Sequence, residues 1–160
     1  MRAAVITVSS SRDEAGDESG ARLAEFAESL GAEVAGRELV GDDRDAIAAA
    51  LRRWADDRGC ELVLTTGGTG LAPADVTPEA TGEVIEREAP GIAEAMRLAS
   101  REHTRHWMLS RGVAGVRGRT LIVNFPGSPA SIEQAGAAIR DSLPHALGLL
   151  SGREAGHRHG

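Results

Sequence analysis

The stretch that most constrains the fold of this chain is residues 62–81, which read LVLTTGGTGLAPADVTPEAT. The apolar run from Leu62 to Leu64 predicts a buried strand, and it leads into a loop of glycine and threonine. Thr77 and Pro78 then match the N-cap and the first position of a helix. A strand, a glycine loop and a helix start in this order predict one unit of an α/β fold.

The rest of the chain alternates in the same way. Residues 3–8 and 120–125 are apolar runs typical of strands covered on both faces, and residues 33–40 and 113–116 are weaker strand candidates. Apolar residues at helical spacing fall between and after these runs, in segments 23–30, 47–54, 84–85, 92–100 and 132–143. We therefore predict an α/β fold with a mainly parallel central sheet.

Composition limits the function classes. The 160 residues suit one domain, which we place at residues 1–151, with a polar and flexible tail at 152–160. A net charge of −6, two Phe, two Trp and no Tyr argue against nucleic-acid binding, because a basic surface and stacking rings are missing. The single cysteine, Cys60, fits a reducing compartment. Without a signal-peptide pattern or a membrane-spanning apolar run, we expect a cytoplasmic protein with no membrane partner.

Three loops after predicted strands are rich in hydroxyl groups and small residues. They contain Ser9 and Ser10, the glycine loop (residues 65–70), and Gly127 with Ser128. Ligands of open α/β sheets bind outside the carboxyl ends of the strands, where all three loops are expected. Glycine amides can surround an anion closely, so the loops suggest a ligand with several phosphates, such as a nucleotide. The glycine loop has no lysine and is not a Walker A motif, and a simple tight turn remains the alternative.

Aspartates accompany two of the predicted strands. Asp75 follows the glycine loop, and a carboxylate beside a phosphate site repels the ligand unless a cation such as Mg²⁺ lies between them. Asp42 and Asp43 follow the strand at residues 33–40, where spacing alone favours a helix N-cap.

These residues together resemble a known family. The blocks TTGGTG and DVTPEAT, an aspartate after an earlier strand, and PGSP before the last long helix are similar to the MogA/MoaB family of molybdenum cofactor biosynthesis proteins, to which the gephyrin G domain is related. VSSSR, PGIAEAMR and LSRGVAGVRGRTLIVNFPGSP also match, and the resemblance runs from about residue 2 to residue 150. It implies a three-layer fold with helices on both faces of the sheet.

The resemblance also implies an activity. Active members are molybdopterin adenylyltransferases, which use Mg²⁺ and ATP to adenylylate the terminal phosphate of molybdopterin and release pyrophosphate. The family's two functional aspartates fall on Asp75 and Asp42, which are the expected catalytic residues and Mg²⁺ ligands. Members are commonly homotrimers or hexamers, and other molybdenum-cofactor enzymes are possible partners. The expected ligand-binding residues are Ser9, Ser10, Thr66, Gly67, Gly68, Thr69, Gly70, Thr77, Gly127 and Ser128.

The chain departs from the family motif at one position. Ala74 precedes Asp75 where the family usually has Arg, so a cation next to the phosphates is missing. Arg12, Arg117 or Arg119, from this chain or from a neighbouring copy, are the candidates to replace it. The departure keeps open a non-catalytic molybdopterin-binding carrier, or a scaffold protein of the same fold.

Overall fold

The structure is a computed structural model that describes residues 1–11 and 16–153. A six-stranded sheet has the order β2-β1-β3-β6-β5-β4. Its strands are β1 (Arg2–Val8), β2 (Glu33–Val40), β3 (Leu62–Thr66), β4 (Arg87–Glu88), β5 (Ala114–Arg117) and β6 (Thr120–Phe125). The pairs β1–β2, β1–β3 and β3–β6 are parallel, whereas β5 pairs antiparallel with β4 and β6. The mainly parallel sheet predicted from the sequence is confirmed.

Helices cover both faces of this sheet. Within the described residues they are α1 (Glu18–Ser29), α2 (Arg44–Arg52), α3 (Thr77–Val84), α4 (Pro90–Ser100), α5 (Pro129–Ile139) and α6 (Leu143–Ser151). Helices α1, α4, α5 and α6 contribute to one apolar core, which contains Leu64 and Phe125 of the sheet. Helices α2 and α3 pack on the other face around Ile6 and Val63. The three-layer architecture that the resemblance implies is therefore present.

Short polar residues begin several helices. The side chain of Asp17 accepts a hydrogen bond from the Gly20 amide at the start of α1. Ser128 caps α5 and is followed by Pro129, as the sequence predicts. Gly31 lies just beyond α1 with a φ of 88°, a left-handed conformation that favours glycine.

The sequence pattern misplaced two helix starts. Thr77 is the first residue of α3 and makes no cap hydrogen bond, because the cap position belongs to Val76. Pro90 begins α4 two residues before the predicted segment 92–100, since its missing amide hydrogen costs nothing in a first turn. The two-residue strand β4 before it was not predicted, because so short an edge strand has no alternating pattern.

The parallel strands end together. Thr66 at the end of β3 is in register with Thr7 of β1 and with Phe125 of β6, and Val8 is in register with Val40 of β2. The carboxyl ends of β2, β1, β3 and β6 thus form one edge of the sheet, called the carboxyl edge below. No helix in residues 1–11 and 16–153 combines the length and the apolar character needed to cross a membrane.

Truncating the centre of the sheet should destabilise the fold strongly. Leu64 is 0% exposed, whereas Leu149 of α6 is 43% exposed. We expect Leu64→Ala to lower the free energy of unfolding by about 2–5 kcal/mol, because it leaves a cavity in a close-packed core. Leu149→Ala, the control, should change it by no more than about 0.5 kcal/mol. Urea denaturation measures both, and similar losses in the two variants would contradict the packing described.

Candidate active site at the carboxyl edge

The glycine loop lies directly against the end of β1. Gly67 and Gly68 have φ values of 94° and 68°, in the left-handed region. A Cβ on Gly67 would lie 2.5 Å from the carbonyl oxygen of Val8, and one on Gly68 would lie 2.3 Å from Oγ1 of Thr77. Only glycine allows both the backbone angles and the close approach. The loop therefore turns back over the carboxyl edge toward the start of α3.

Thr77 provides a buried hydroxyl beside this loop. Its main-chain amide donates to the carbonyl of Gly68 at 3.1 Å, which fixes the start of α3 next to the glycine loop. The side chain is 0% exposed, and its Oγ1 has no hydrogen-bond partner among the residues that the structure describes. Because an unpaired buried hydroxyl costs about 1–3 kcal/mol, this atom fits a site in which a ligand completes its bonding.

The third predicted loop, residues 126–128, packs against the glycine loop. The amide of Gly67 donates to the carbonyl of Phe125 at 3.2 Å, and the Thr66 hydroxyl donates to the carbonyl of Pro126 at 2.6 Å. A Cβ on Gly127 would lie 3.6 Å from the Cα of Gly67. Ser128 uses its Oγ as the cap of α5, accepting from the amide of Ser131. The amino end of α5 thus borders the glycine loop, where it attracts anions.

Asp42 is joined to the first loop, and Asp43 is not. The amide of Ser10 donates to Oδ2 of Asp42 at 3.1 Å, and the amide of Asp42 donates to Oγ of Ser10 at 2.9 Å. Asp43 instead caps α2 by accepting from the amide of Ala46 at 3.0 Å. Ser9 is held by donating its amide to the carbonyl of Val40. Asp42, the residue that the resemblance implies, is therefore the aspartate bonded to the first loop, whereas Asp43 is a helix cap.

Asp75 lies beyond the glycine loop, at the entrance to α3. Its Oδ2 accepts from the amide of Ala72 at 3.0 Å, and a Cβ on Gly70 would lie 2.8 Å from that oxygen. The carboxylate therefore rests against the last glycine of the loop.

The two aspartates precede neighbouring helices. Asp42 precedes α2 and Asp75 precedes α3, and these helices pack side by side on the same face of the sheet. Arg44 in the first turn of α2 bonds Glu83 of α3. The structure thus brings together the ends of β1, β2 and β3 that carry the predicted site residues.

Arg111 joins this site, although no pattern in the sequence singled it out. Its guanidinium bonds Glu79 and the carbonyls of Gly70 and Asp75. The hydrogen bond from Arg111 holds the pKa of Glu79 below its ordinary value, and Glu79 in turn raises the pKa of Arg111. The motif LSRGVAGV contains Arg111, and the missing cation at Ala74 was the one hint that another basic residue should approach the loop.

The cations expected to replace the family Arg lie elsewhere. Arg117 bonds Asp56 and the carbonyl of Val84, and Arg119 lies in the β5–β6 turn at the opposite end of β6 from the carboxyl edge. Within a single copy of the chain neither of them is next to Asp75, so a contribution of either arginine from a neighbouring copy stays a prediction. Arg12 lies outside the described residues.

The donor set suits a hard divalent cation. Within residues 1–11 and 16–153, no group of three or more His, Cys, Asp or Glu side chains forms a metal cluster. Mg²⁺ does not require one, because it is commonly held by one or two carboxylates together with substrate phosphates. Asp42 and Asp75 each use Oδ2 to accept a main-chain amide, and each carboxylate has a second acceptor oxygen.

Comparison with known proteins supports the resemblance seen in the sequence. The family described as "Probable molybdopterin binding domain" matches residues 4–145. The chain belongs to this family. A crystal structure of the molybdopterin biosynthesis enzyme MoaB from Thermus thermophilus superposes with a TM-score of 0.86 and is 48% identical, with 94% of this chain and 96% of that chain covered.

Curated relatives within the family are longer proteins. A Helicobacter pylori protein named molybdopterin adenylyltransferase is 43% identical over 115 residues, which are 72% of this chain and 65% of that protein. The molybdenum cofactor synthesis protein cinnamon of Drosophila melanogaster is 44% identical over 112 residues, or 70% of this chain and 19% of that protein. The match therefore spans less than two thirds of either relative.

The close approach of the glycine loop can be tested apart from glycine's backbone freedom. Gly118 has a φ of 56°, but a Cβ there would meet nothing within 4 Å. Gly118→Ala should lower the free energy of unfolding by about 1–2 kcal/mol, the cost of a left-handed non-glycine residue. Gly67→Ala should lower the free energy of unfolding, measured by urea denaturation, clearly more than Gly118→Ala does, because its Cβ also meets the Val8 carbonyl. Equal losses in the two variants would show that the loop does not lie against β1.

Proposed function

We propose that this protein is a Mg²⁺-dependent molybdopterin adenylyltransferase of molybdenum cofactor biosynthesis. Its substrates are ATP and molybdopterin, and its products are adenylylated molybdopterin and pyrophosphate. The observation that supports the proposal is that the glycine loop lies against the end of β1, while Asp42 is bonded to Ser10 just after β1 and Asp75 lies against Gly70. Relatives that bear the same activity in their names support it.

The proposed reaction is a displacement at phosphorus. An oxygen of the terminal phosphate of molybdopterin attacks the α-phosphorus of ATP, and the bond from that phosphorus to the pyrophosphate oxygen breaks. Pyrophosphate leaves with the electron pair of that bond. Such reactions depend on alignment and charge neutralisation more than on covalent chemistry by the protein. A preformed cradle of main-chain amides meets that requirement.

The residues of the glycine loop divide into two roles in this proposal. The Thr66 hydroxyl and the Gly67 amide are already bonded to residues 125–126, so they shape the loop. The amides of Gly68, Thr69 and Gly70 bind phosphate oxygens. The Thr77 hydroxyl, buried and unpaired among the described residues, donates to one of these oxygens.

Asp42 and Asp75 would hold Mg²⁺ at the edge of this cradle. When bound, the cation neutralises the negative charge that phosphates and carboxylates bring together. Ser10 fixes Asp42 through two hydrogen bonds, and the amide of Ala72 fixes Asp75. The protein thus keeps both carboxylates oriented before substrates arrive.

We assign each of the two remaining loops to one of the two substrates. We place the molybdopterin phosphate at Gly127 and Ser128, because the amino end of α5 favours an anion there. Ser9 and Ser10 lie on the other side of the glycine loop, next to Asp42, and are assigned to the nucleotide. This assignment places the α-phosphate of ATP between the two loops.

A non-catalytic molybdopterin carrier is the second candidate. Ala74 favours it, because this exposed residue supplies no cation beside Asp75. Titration calorimetry distinguishes the two functions, because a carrier binds molybdopterin but does not bind ATP in the presence of Mg²⁺.

We further propose that the protein is cytoplasmic, that residues 1–151 act as one domain, and that copies of the chain associate as trimers or hexamers. The last proposal follows the family resemblance. Exposed apolar side chains also support it, because Met108 is 61% exposed, Leu98 is 56% exposed and Leu109 is 45% exposed. Leu98 lies in α4, which contacts the helical turn Trp107–Leu109. Burying such side chains between copies removes apolar area from water.

Neutralising Asp75 should remove activity without unfolding the protein. Asp75→Asn keeps the size of the side chain but weakens its hold on Mg²⁺. We expect kcat for pyrophosphate release to fall by at least the roughly 10–100-fold that is typical when the support of a metal ligand is lost. Asp141, an exposed residue beyond the end of α5, provides the control. Asp141→Asn changes the net charge by the same amount, but at a position away from the carboxyl edge. Both variants should unfold at nearly the wild-type urea concentration and bind molybdopterin. Unchanged turnover in Asp75→Asn would remove this residue from the site.

Association of the chain can be measured by sedimentation velocity. We expect the wild type to sediment as a trimer or hexamer and Met108→Asp to shift toward the monomer, because a buried charge without a partner is costly. Leu149→Asp, which alters an exposed apolar residue of α6, should keep the wild-type mass. A monomeric wild type at micromolar concentration would refute the proposed assembly.

A further inference from the structure

The segment that carries Asp75 has little packing of its own. Residues 71–74 are all exposed, and Leu71 is 65% exposed. Inside the segment, the amide of Asp75 donates to the carbonyl of Ala72, and the amide of Ala72 donates to Oδ2 of Asp75. A segment with so few buried contacts is expected to open easily unless other groups hold it.

Arg111 holds this segment at both ends. Its Nε donates to the carbonyl of Gly70 at 2.8 Å, and its Nη2 donates to the carbonyl of Asp75 at 2.7 Å. Its main-chain amide donates to the carbonyl of Thr69 at 2.7 Å. One residue from a different part of the chain therefore fixes the distance between the glycine loop and the main chain of Asp75.

Glu79 orients the guanidinium for this task. Nη1 of Arg111 lies 2.8 Å from Oε2 of Glu79, and Nη2 lies 3.2 Å from Oε1. Such a paired contact fixes the plane of the guanidinium as well as its position. Glu79 lies in the first turn of α3, so the contact ties Arg111 to the helix that begins at Thr77.

We propose that Arg111 is the positioning residue for Asp75, holding its carboxylate at the Mg²⁺ site through the carbonyls of Gly70 and Asp75. This inference rests on the function proposed above. Four hydrogen bonds from the five guanidinium N–H groups go to protein atoms, so Arg111 acts through Asp75 and not on the substrate. It also places a cation near Asp75 in a chain that has Ala74 before it.

Substitution of Arg111 should impair metal use more than substrate binding. We expect Arg111→Ala to lower kcat and to raise the half-saturating Mg²⁺ concentration, each by about 10–100-fold, as is typical when the support of a metal ligand is lost. The KM for molybdopterin should stay near the wild-type value. Arg111→Lys should be impaired as well, because an ammonium group cannot make the paired contact. Wild-type kinetics in Arg111→Lys would overturn the proposal, since charge alone would then suffice.

Arg117 offers a matched control. It also pairs with a carboxylate, Asp56, and donates to a main-chain carbonyl, that of Val84, but it does so away from the carboxyl edge. Arg117→Ala therefore removes the same kinds of bond and should leave kcat and the Mg²⁺ dependence unchanged. If both variants lose activity equally, the loss reports general destabilisation and the proposal fails.

A double-mutant cycle tests whether Arg111 acts through Asp75. When Asp75 is already Asn, its position no longer matters, so Arg111→Ala should add less than about a twofold further loss of kcat. If kcat of the double variant falls by the product of the two single-variant losses, Arg111 acts independently of Asp75 and the proposal is contradicted.

Hydrogen exchange tests the positioning without any assay of activity. In the full chain, Arg111→Ala should abolish the protection of the Asp75 amide, and Arg117→Ala should preserve it. Unchanged protection in Arg111→Ala would overturn the inference, even in an active enzyme. Conversely, if the wild type forms no adenylylated product, the proposed function fails while the exchange result still decides whether Arg111 positions Asp75.

Discussion

The candidate site depends on the contact between the glycine loop and the end of β1. Gly67 approaches the carbonyl of Val8 so closely that no side chain fits between them, and its left-handed backbone turns the chain back over the sheet. Because β1 lies between β2 and β3, this turn brings the residues after β3 toward those after β2. Asp42 and Asp75, which are far apart in the sequence, thus follow strands that end at the same edge of the sheet.

The polar groups at this edge attract charges of both signs. Amides of the glycine loop and the amino end of α5 favour an anion, whereas two carboxylates favour a cation. The buried Thr77 hydroxyl has no protein partner within the described residues. An arrangement that attracts both signs of charge is satisfied by a phosphate and a divalent cation together.

The sequence was most informative where local chemistry decides the structure. The strands at residues 33–40 and 120–125 and the Ser128 cap are as predicted, because burial and capping act over a few residues. The α3 start was misplaced by one residue, since the Thr77 amide bonds back to the glycine loop. Arg111 was missed because its partners lie more than thirty residues away in the chain. Contacts of that kind arise only from the tertiary fold.

Asp42 and Asp75 are proposed to hold one divalent cation, and paramagnetic broadening by Mn²⁺ tests this proposal directly. Mn²⁺ favours the same carboxylate ligands as Mg²⁺ and broadens nearby amide resonances. In the presence of ATP, we predict that the amide signals of Asp42, Gly68 and Asp75 broaden together at low Mn²⁺, while that of Gly118 stays sharp. Broadening confined to one of the two aspartates, or found at neither, would contradict the account.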